Sequence, residues 1–197
     1  MSDNLIIGLH GYQRSGKDTS GDYLHERFGF EKVSFAAPLK AGLYALNPWV
    51  AGAPDENGNR RFRLLQNLVD ELGWEGIKAS AEWKDDSRRL QQRFGTETAR
   101  ETFWEDFWLD LADRHMSESP VTKFAICDAR FQNEVDFIRS KGGIMVNVVR
   151  PGFGPQENHK SEQALECDIT VTNDGSLDDL YAKIDALVAD LAASKAA

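Results

Sequence analysis

The sequence predicts an α/β fold in which a five-stranded parallel sheet is flanked by helices. Five short apolar stretches alternate with helix-like stretches along the chain, and this alternation is typical of a doubly wound parallel sheet. The first apolar stretch also runs directly into a glycine-rich turn and a helix, which is the order of a phosphate-binding loop. Because ligands of such sheets lie beyond the carboxyl ends of the strands, functional residues are expected in the segments that follow them.

The predicted strands are short and apolar, as expected for strands buried in a parallel sheet. They are expected at residues 5–10, 32–35, 124–127, 144–149 and 169–172. Helices are expected between and after these strands. The four clearest helices are expected over 19–28, 36–46, 131–141 and 177–191. Gly29 is expected to end the first of them and Ser176 to cap the last.

The chain between the second and third strands is expected to be mainly helical. Residues 47–61 are rich in proline, glycine and asparagine and are interpreted as an exposed loop. Helices are expected from Phe62 to Gly73 and over 87–94, with a break at Gly95–Glu97. The next helix carries aromatic residues that we interpret as core, because they recur on one helix face; they are Phe103, Trp104, Phe107 and Trp108.

The length of 197 residues corresponds to one domain that carries insertions. We assign the core of this domain to residues 1–35, 120–150 and 167–197. A helical region is placed at about 36–119, and a polar segment outside the sheet at about 150–163. A single domain with these two excursions from its sheet is therefore expected.

Composition narrows the kind of partner. The formal net charge is -9 at pH 7, which argues against nucleic acid, because phosphate backbones attract basic surfaces. No stretch approaches the roughly 20 apolar residues of a membrane span, and no signal peptide is expected. Cys127 and Cys167 lie in apolar contexts and are expected to be reduced thiols. We therefore expect a cytoplasmic protein with small ligands.

The segment after the first strand, residues 11–19, reads Gly-Tyr-Gln-Arg-Ser-Gly-Lys-Asp-Thr. Its glycines let backbone N–H groups curl around phosphate oxygens, and Lys17 can reach the β- and γ-phosphates. Asp18 stands where such loops usually carry a hydroxyl, and Thr19 supplies one a place later. We expect Thr19 near a magnesium ion. A surface loop that has this pattern by chance is the alternative.

Charged residues also follow the later strands. Asp128 ends the third strand, where a phosphate-loop enzyme keeps a carboxylate for magnesium or its waters; a helix cap is the alternative. Arg130 could bind a phosphate through two hydrogen bonds, or be an exposed structural arginine. Each further cation could be a solvated surface charge, but as a set they suit two phosphorylated substrates: Arg14, Lys40, Arg100, Arg150, His159 and Lys160.

Six motifs occur along the chain in a characteristic order. After residues 11–19 come Phe35-Ala-Ala-Pro-Leu-Lys40, Leu90-Gln-Gln-Arg-Phe-Gly-Thr-Glu97 with Arg100, Asp128-Ala-Arg-Phe-Gln-Asn-Glu134, His159-Lys-Ser-Glu162 and Thr172-Asn-Asp-Gly-Ser176. Together they resemble the deoxynucleoside monophosphate kinases of bacteriophages, within the P-loop nucleoside monophosphate kinase group. The resemblance touches nearly the whole chain and is loose over 47–89. Dephospho-coenzyme A kinases share single motifs, but this combination is more distinctive.

The resemblance implies a three-layer P-loop kinase fold with a helical acceptor-binding insertion and a lid. It implies that the catalytic residues are Lys17, Asp128, Arg130 and Arg150. ATP would be bound by Gly11, Arg14, Ser15, Gly16, Lys17, Asp18, Thr19, Asn173 and Gly175, the last two bordering adenine largely through backbone groups. Mg²⁺ would be held by Asp18, Thr19 and Asp128. The acceptor would be bound by Lys40, Gln92, Thr96, Arg100, Asp128 and Arg130, under a lid with His159, Lys160 and Glu162.

The resemblance thus predicts transfer of a phosphoryl group from ATP to a deoxynucleoside 5′-monophosphate, giving the diphosphate and ADP. One alternative is a P-loop kinase for another small metabolite, such as dephospho-coenzyme A. Another is a nucleotide-dependent regulatory module without transfer. A phage-encoded enzyme would work in the host cytoplasm. The aromatic content of residues 62–115 exceeds the need of a thin helical layer and is compatible with a homodimer.

Overall fold

The computed structural model describes residues 4–154 and 165–196. The chain divides into two compact units. The sheet unit comprises the residues up to Ser34 and those from Ala112 onward, and the helical unit comprises Phe35–Leu111. Among the described residues, no helix has the length and apolar character needed to cross a membrane.

The described residues form seven strands, seven α-helices and a π-helix, numbered by type in chain order. The strands are β1 (Leu5–His10), β2 (Glu31–Val33), β3 (Trp49–Ala51), β4 (Phe62–Leu64), β5 (Lys123–Ile126), β6 (Ile144–Val149) and β7 (Ile169–Thr172). The α-helices are α1 (Lys17–Phe28), α2 (Ala36–Leu46), α3 (Leu65–Ala79), α4 (Lys84–Gln92), α5 (Phe107–Glu118), α6 (Gln132–Ser140) and α7 (Leu177–Ala196); the π-helix is Arg93–Phe103.

The sheet unit contains a five-stranded sheet in the order β2-β5-β1-β6-β7. All four pairings are parallel, and β1 lies at the centre, with Leu5 opposite Lys123 and Ile7 opposite Ile144. The predicted parallel sheet is confirmed, and β1, β6 and β7 have the predicted bounds. Because the strands are parallel, the segments after β1, β5 and β6 leave from the same edge of the sheet.

Both faces of the sheet are covered, which explains why its strands are apolar without interruption. On one face Ile7 lies in a fully buried cluster that also contains Leu24 of α1 and Ile184 of α7. On the other face, an added Cβ at Gly143 would lie within 3 Å of Ile6 and of Ile138 in α6. The result is the expected three-layer arrangement of helices, sheet and helices.

The packing of α1 against the sheet predicts a large stability effect at Leu24. Its side chain is completely buried, so Leu24→Ala leaves a cavity and should lower the free energy of unfolding by about 2–5 kcal/mol. Chemical denaturation measures the loss. The matched control is Leu177→Ala, because Leu177 is largely exposed on α7 and the expected change is within about 0.5 kcal/mol. Equal losses for the two variants would contradict the assigned packing.

The helical unit has a separate apolar cluster that contains Leu43, Val50, Leu65, Leu68, Ile77 and Trp83. Part of this cluster comes from an antiparallel pair of strands, β3 and β4, in which Trp49 lies opposite Leu64. The prediction of a continuous exposed loop over 47–61 is therefore wrong at β3. The buried side chain of Val50 anchors the strand in the cluster.

Three predicted helix boundaries in this unit are also wrong. Residues 62–64 form β4, so helix α3 begins only at Leu65. Gly73 does not end α3; its backbone (φ 66, ψ 168) kinks a helix that continues to Ala79. Gly95 does not break the helical path, because it lies inside the π-helix. An added Cβ at Gly95 would collide with Leu39, so this glycine serves close packing.

The aromatic residues predicted to form core divide into two groups. Trp108 is buried, and its Nε1 donates a hydrogen bond to the carbonyl oxygen of Gly95 at 2.9 Å. Phe103 and Trp104 are 59% and 49% exposed, so their assignment to the core is wrong. Both precede α5, which begins at Phe107, and they therefore do not share the helix face that their spacing suggested.

Candidate active site

The segment between β1 and α1 forms a loop with fixed backbone geometry. The amide of Ser15 donates to the carbonyl oxygen of Tyr12 at 3.1 Å, and the side chain of Asn173 donates to the carbonyl oxygen of Ser15 at 2.9 Å. Gly16 occupies the N-cap position of α1 with a left-handed backbone (φ 102), and no side-chain hydrogen bond caps the helix start. The free N–H groups and dipole of a helix start attract anions, so this loop is suited to phosphate.

The interior of the loop contains a buried hydroxyl. Ser15 is 2% exposed, and its Oγ has no hydrogen-bond partner among the described residues. A Cβ added to Gly11 would lie 2.5 Å from this Oγ and 2.5 Å from the carbonyl oxygen of Val148. A buried hydroxyl without a partner is costly, and a phosphate oxygen would satisfy it. The loop therefore fits the phosphates that the sequence predicted.

Lys17 extends from the first turn of α1 toward the end of β5. Its Nζ lies 2.6 Å from the carbonyl oxygen of Cys127 and 2.6 Å from a carboxylate oxygen of Asp18. The contact with Cys127 holds the Lys17 ammonium group beside the residue that precedes Asp128. Cys127 is a free, half-buried thiol. Burial raises the pKa of the Cys127 thiol to about 11, against the lowering effect of Lys17, so the thiol is protonated at neutral pH.

Asp128 follows β5 and is oriented by Ser34, which follows β2. The Ser34 hydroxyl donates to Oδ2 of Asp128 at 2.6 Å. The alternative that Asp128 caps helix α6 is wrong, because the N-cap residue is Phe131 and Glu134 in the first turn forms the capping box with it. One Glu134 carboxylate oxygen accepts the backbone N–H groups of Arg130 at 2.6 Å and Phe131 at 3.1 Å.

The arginines predicted on this edge of the sheet unit are solvent-exposed. Arg14 has a left-handed backbone (φ 66) at the tip of the loop after β1. Arg130 is exposed in the turn after β5, and Arg150 is exposed after β6. The Arg150 guanidinium lies 5.2 Å from the ring centroid of Phe153. Because β5 and β6 flank β1 in the sheet, the three arginines lie in the segments that follow neighbouring strands.

The residues predicted to hold magnesium do not form a complete metal site by themselves. Within residues 4–154 and 165–196, no three His, Cys, Asp or Glu side chains come together as metal ligands. Asp18 is exposed and Thr19 is half-buried in the first turn of α1. Magnesium in nucleotide enzymes usually takes one or two carboxylates, several waters and the phosphates themselves. The available oxygen donors therefore fit magnesium that arrives with ATP.

The predicted acceptor residues of the helical unit lie on adjoining elements. Lys40 on α2 has its Nζ 5.7 Å from the ring centroid of Trp74. Thr96 follows Gly95, which packs against Leu39 beside Lys40. Arg100 donates to the carbonyl oxygen of Glu105 at 3.3 Å.

Gln91 and Gln92 are adjacent on α4, and their contacts differ. The side-chain amide of Gln91 donates to the backbone oxygen and hydroxyl of Ser87, both at 3.3 Å. Its donors are thus used within α4. Gln92, at the end of the same helix, is half-buried. These contacts favour Gln92 as the glutamine available to a ligand.

Comparison with known proteins identifies the family. A family model described as deoxynucleotide monophosphate kinase matches residues 69–184. The chain belongs to this family. A putative deoxynucleotide monophosphate kinase of Acanthamoeba polyphaga mimivirus is 31% identical, and the match covers 91% of this chain and 94% of the relative. The deoxynucleotide monophosphate kinase of Enterobacteria phage T4 is 26% identical, with coverage of 91% and 96%. The resemblance seen in the motifs is confirmed.

The fold of this family member is shared with solved structures. The crystal structure of TT1252 from Thermus thermophilus matches with a TM-score of 0.50 at 18% identity, covering 95% of this chain and 98% of the other. At this identity the likeness concerns the fold alone. It agrees with the five-stranded parallel sheet and flanking helices described above.

Part of the predicted site of this kinase lies outside the described residues. The lid residues His159, Lys160 and Glu162 fall within residues 155–164, which the structure does not describe. At the other end of the site, Gly175 is exposed after β7. A Cβ added there would collide with Asp179, whose carboxylate accepts hydrogen bonds from Ser176 at the start of α7. The predicted cap at Ser176 is confirmed.

Sequence reasoning missed two side chains of the candidate site, Ser34 and Glu134, and it expected Asn173 to border adenine largely through backbone groups. Ser34 orients Asp128, Glu134 holds the turn after Asp128, and Asn173 contacts the phosphate loop through its side chain. Ser34 follows a strand and could have been found by the same rule that found Asp128. His10 ends β1 and is buried. Burial lowers the pKa of His10, and Lys17 adds to this, whereas a hydrogen bond to the Ala129 backbone opposes it.

Proposed function

We propose that this chain transfers the γ-phosphoryl group of ATP to a deoxynucleoside 5′-monophosphate, giving a deoxynucleoside diphosphate and ADP. Membership of the deoxynucleotide monophosphate kinase family supports this reaction. The observation that carries the proposal is the loop after β1. It combines an uncapped helix start, a buried hydroxyl without a partner among the described residues, and a lysine directed to the end of β5.

The donor triphosphate binds to the loop after β1. Backbone N–H groups of Gly11 to Gly16 surround the β-phosphate, and Ser15 Oγ donates to one of its oxygens. Lys17 moves its ammonium group from Cys127 to the β- and γ-phosphates. Arg14 at the tip of the loop and Thr19 in the first turn of α1 complete the donor site. The segment after β7 borders adenine through Gly175.

Magnesium accompanies the donor in this proposal. Asp18, Thr19 and Asp128 would hold the ion or its water ligands, and the remaining positions belong to water and phosphate oxygens. When bound, the ion would offset the negative charge of the phosphates. Ser34 keeps one carboxylate oxygen of Asp128 in place through its hydroxyl, which limits the orientations of that carboxylate.

In this proposal the phosphate of the acceptor is bound by Lys40, Arg100 and Arg130. Gln92 and Thr96 contact its nucleoside. Arg150, which follows β6, supplies a further cation. The lid residues that the resemblance implies, His159, Lys160 and Glu162, lie outside the described residues.

The reaction needs no covalent enzyme intermediate. The acceptor phosphate is already an anionic nucleophile at neutral pH, so the enzyme positions it in line with the γ-phosphoryl group. Lys17, Arg130 and Arg150 stabilise the charge on the transferred group. An oxygen of the acceptor forms the new bond to phosphorus as the bond to the ADP oxygen breaks.

Two further features belong to the same proposal. The enzyme works in the cytoplasm, where ATP and deoxynucleotides are both present, and in the host cytoplasm if a phage encodes it. Two copies associate through the helical unit. The exposed aromatic residues Phe103 and Trp104 support this association, and sedimentation at micromolar concentration would test it.

An acceptor panel tests the assigned reaction. Release of ADP from ATP is followed with each deoxynucleoside monophosphate, with the matching ribonucleotides, and with dephospho-coenzyme A. We expect turnover of at least one deoxynucleotide well above the acceptor-free rate. Turnover of dephospho-coenzyme A alone would overturn the proposal, as would ATP binding without acceptor-dependent turnover. The relatives named as deoxynucleotide monophosphate kinases do not favour these two alternatives.

A further inference from the structure

The side chain of Asn173 binds the backbone of the phosphate loop. Its Nδ2 donates to the carbonyl oxygen of Ser15 at 2.9 Å, although the two residues are 158 positions apart. A carbonyl oxygen can accept but not donate, so only the amide end of the asparagine side chain makes this bond. The contact joins the segment after β7 to the loop after β1.

This hydrogen bond fixes the direction of the next N–H group. In a trans peptide, the carbonyl oxygen of one residue and the N–H of the following residue point to opposite sides. Asn173 holds the Ser15 carbonyl on its own side, so the N–H of Gly16 points away from Asn173. That N–H belongs to the uncapped start of α1, where a phosphate would bind.

The glycine at position 16 leaves the space that Asn173 occupies. A Cβ added to Gly16 would lie 2.5 Å from Nδ2 of Asn173. The positive φ of Gly16 is a second reason why a side chain is strained there. Glycine therefore permits the loop conformation and also admits the amide that holds it.

Asn173 is itself held from two directions. Its backbone N–H donates to the carbonyl oxygen of Val149 at the end of β6, at 2.7 Å. Lys183 on α7 donates to the carbonyl oxygen of Thr172 at 2.6 Å and to Asp174 at 2.7 Å. The amide therefore projects from a braced segment and can restrain the loop it contacts.

From these contacts we infer that Asn173 is a positioning residue for phosphate binding, which acts through the Ser15–Gly16 peptide and not through adenine. The inference deepens the proposed function and rests on it. An Asn173→Asp variant replaces the donor with an oxygen that repels the Ser15 carbonyl, and Asn173→Ala removes the donor only. Both variants should weaken binding of the phosphates whether or not a base is attached.

The test compares ATP with inorganic tripolyphosphate, both with Mg²⁺, by calorimetry on the full chain. We expect Asn173→Ala to raise the dissociation constant about three- to tenfold and Asn173→Asp more than about tenfold, with equal factors for the two ligands. The control is Val171→Ala. Val171 is a buried core residue of β7, so this variant should lower the melting temperature while leaving both affinities within about twofold.

The outcomes separate this inference from the proposed function. A loss of affinity for ATP that tripolyphosphate does not share would overturn the inference and assign Asn173 to adenine. Unchanged binding of both ligands by Asn173→Asp would also overturn it. If the unaltered chain bound neither ligand, the proposed ATP site itself would be wrong. Val171→Ala losing affinity in parallel with Asn173→Ala would show that general destabilisation causes the effect.

Discussion

Lys17→Ala is expected to lower kcat/KM for acceptor phosphorylation by about a thousandfold, because one preorganised cation at the transferred group has an effect of this order. The fold should remain intact. In the absence of nucleotide the ammonium group bonds only to the Cys127 carbonyl oxygen and to Asp18 among the described residues, and water can replace it at both oxygens. Coupled measurement of ADP release gives the rate, and circular dichroism with thermal melting checks the fold.

The control for Lys17 is another lysine of the sheet unit. Lys141 follows α6 and pairs with Asp113, so Lys141→Ala removes the same charge outside the predicted site. Its activity should stay within about twofold of the parent, since exposed ion pairs contribute little. Near-normal turnover by a folded Lys17→Ala variant would contradict the assignment of Lys17.

Asp128→Asn is expected to lower kcat about a hundredfold or more while keeping the size of the side chain. The variant loses the negative charge proposed for magnesium or its waters but keeps an oxygen that can accept from Ser34. We therefore expect a higher magnesium requirement together with the lower rate. Initial rates measured over a range of Mg²⁺ concentrations at saturating ATP and acceptor test both effects.

Two companion variants separate charge from orientation at Asp128. Ser34→Ala keeps the carboxylate but removes the hydrogen bond that orients it, and should lower kcat by about three- to tenfold. Asp22→Asn makes the same charge change on the surface and should leave the rate unchanged. If Asp128→Asn kept the parent rate at every Mg²⁺ concentration, neither a metal role nor a charge role for Asp128 would stand.

The sheet unit was predictable because its signals are local. Each strand is a short apolar run, and β1, β6 and β7 begin and end where those runs do. The start of α7 was equally clear, since Ser176 and Asp179 exchange hydrogen bonds within one turn of chain. Because both faces of the sheet are buried, its strands are uninterrupted apolar runs, which are easier to assign than a strand exposed on one face.

The helical unit was less predictable because its structure depends on contacts between distant residues. Pairing of Trp49 with Leu64 closes a loop rich in proline and glycine, and nothing in either short strand alone marks the partner. Gly95 looked like a helix break, yet its missing side chain makes room for Leu39. A glycine can serve a turn or a close contact, and sequence alone does not distinguish them.

The candidate site likewise contains residues that local sequence signals predict and residues that only contacts between distant parts of the chain reveal. The rule that ligands lie beyond strand ends predicted Lys17 and Asp128 as site residues. In the structure, Nζ of Lys17 donates to the carbonyl oxygen of Cys127, the residue before Asp128. Their roles in catalysis stay predictions. The contacts that support them depend on side chains from β2 and β7, namely Ser34 and Asn173. Such long-range hydrogen bonds have no local pattern in a single sequence.

The hydrogen bonds around the phosphate loop have a thermodynamic consequence for nucleotide binding. The Tyr12 carbonyl within the loop and the Asn173 amide after β7 hold the loop in shape without a ligand. Ordering a flexible segment on binding costs free energy that is subtracted from affinity. For a loop that is already ordered this cost is small, so the contacts made with the phosphates appear almost fully as affinity.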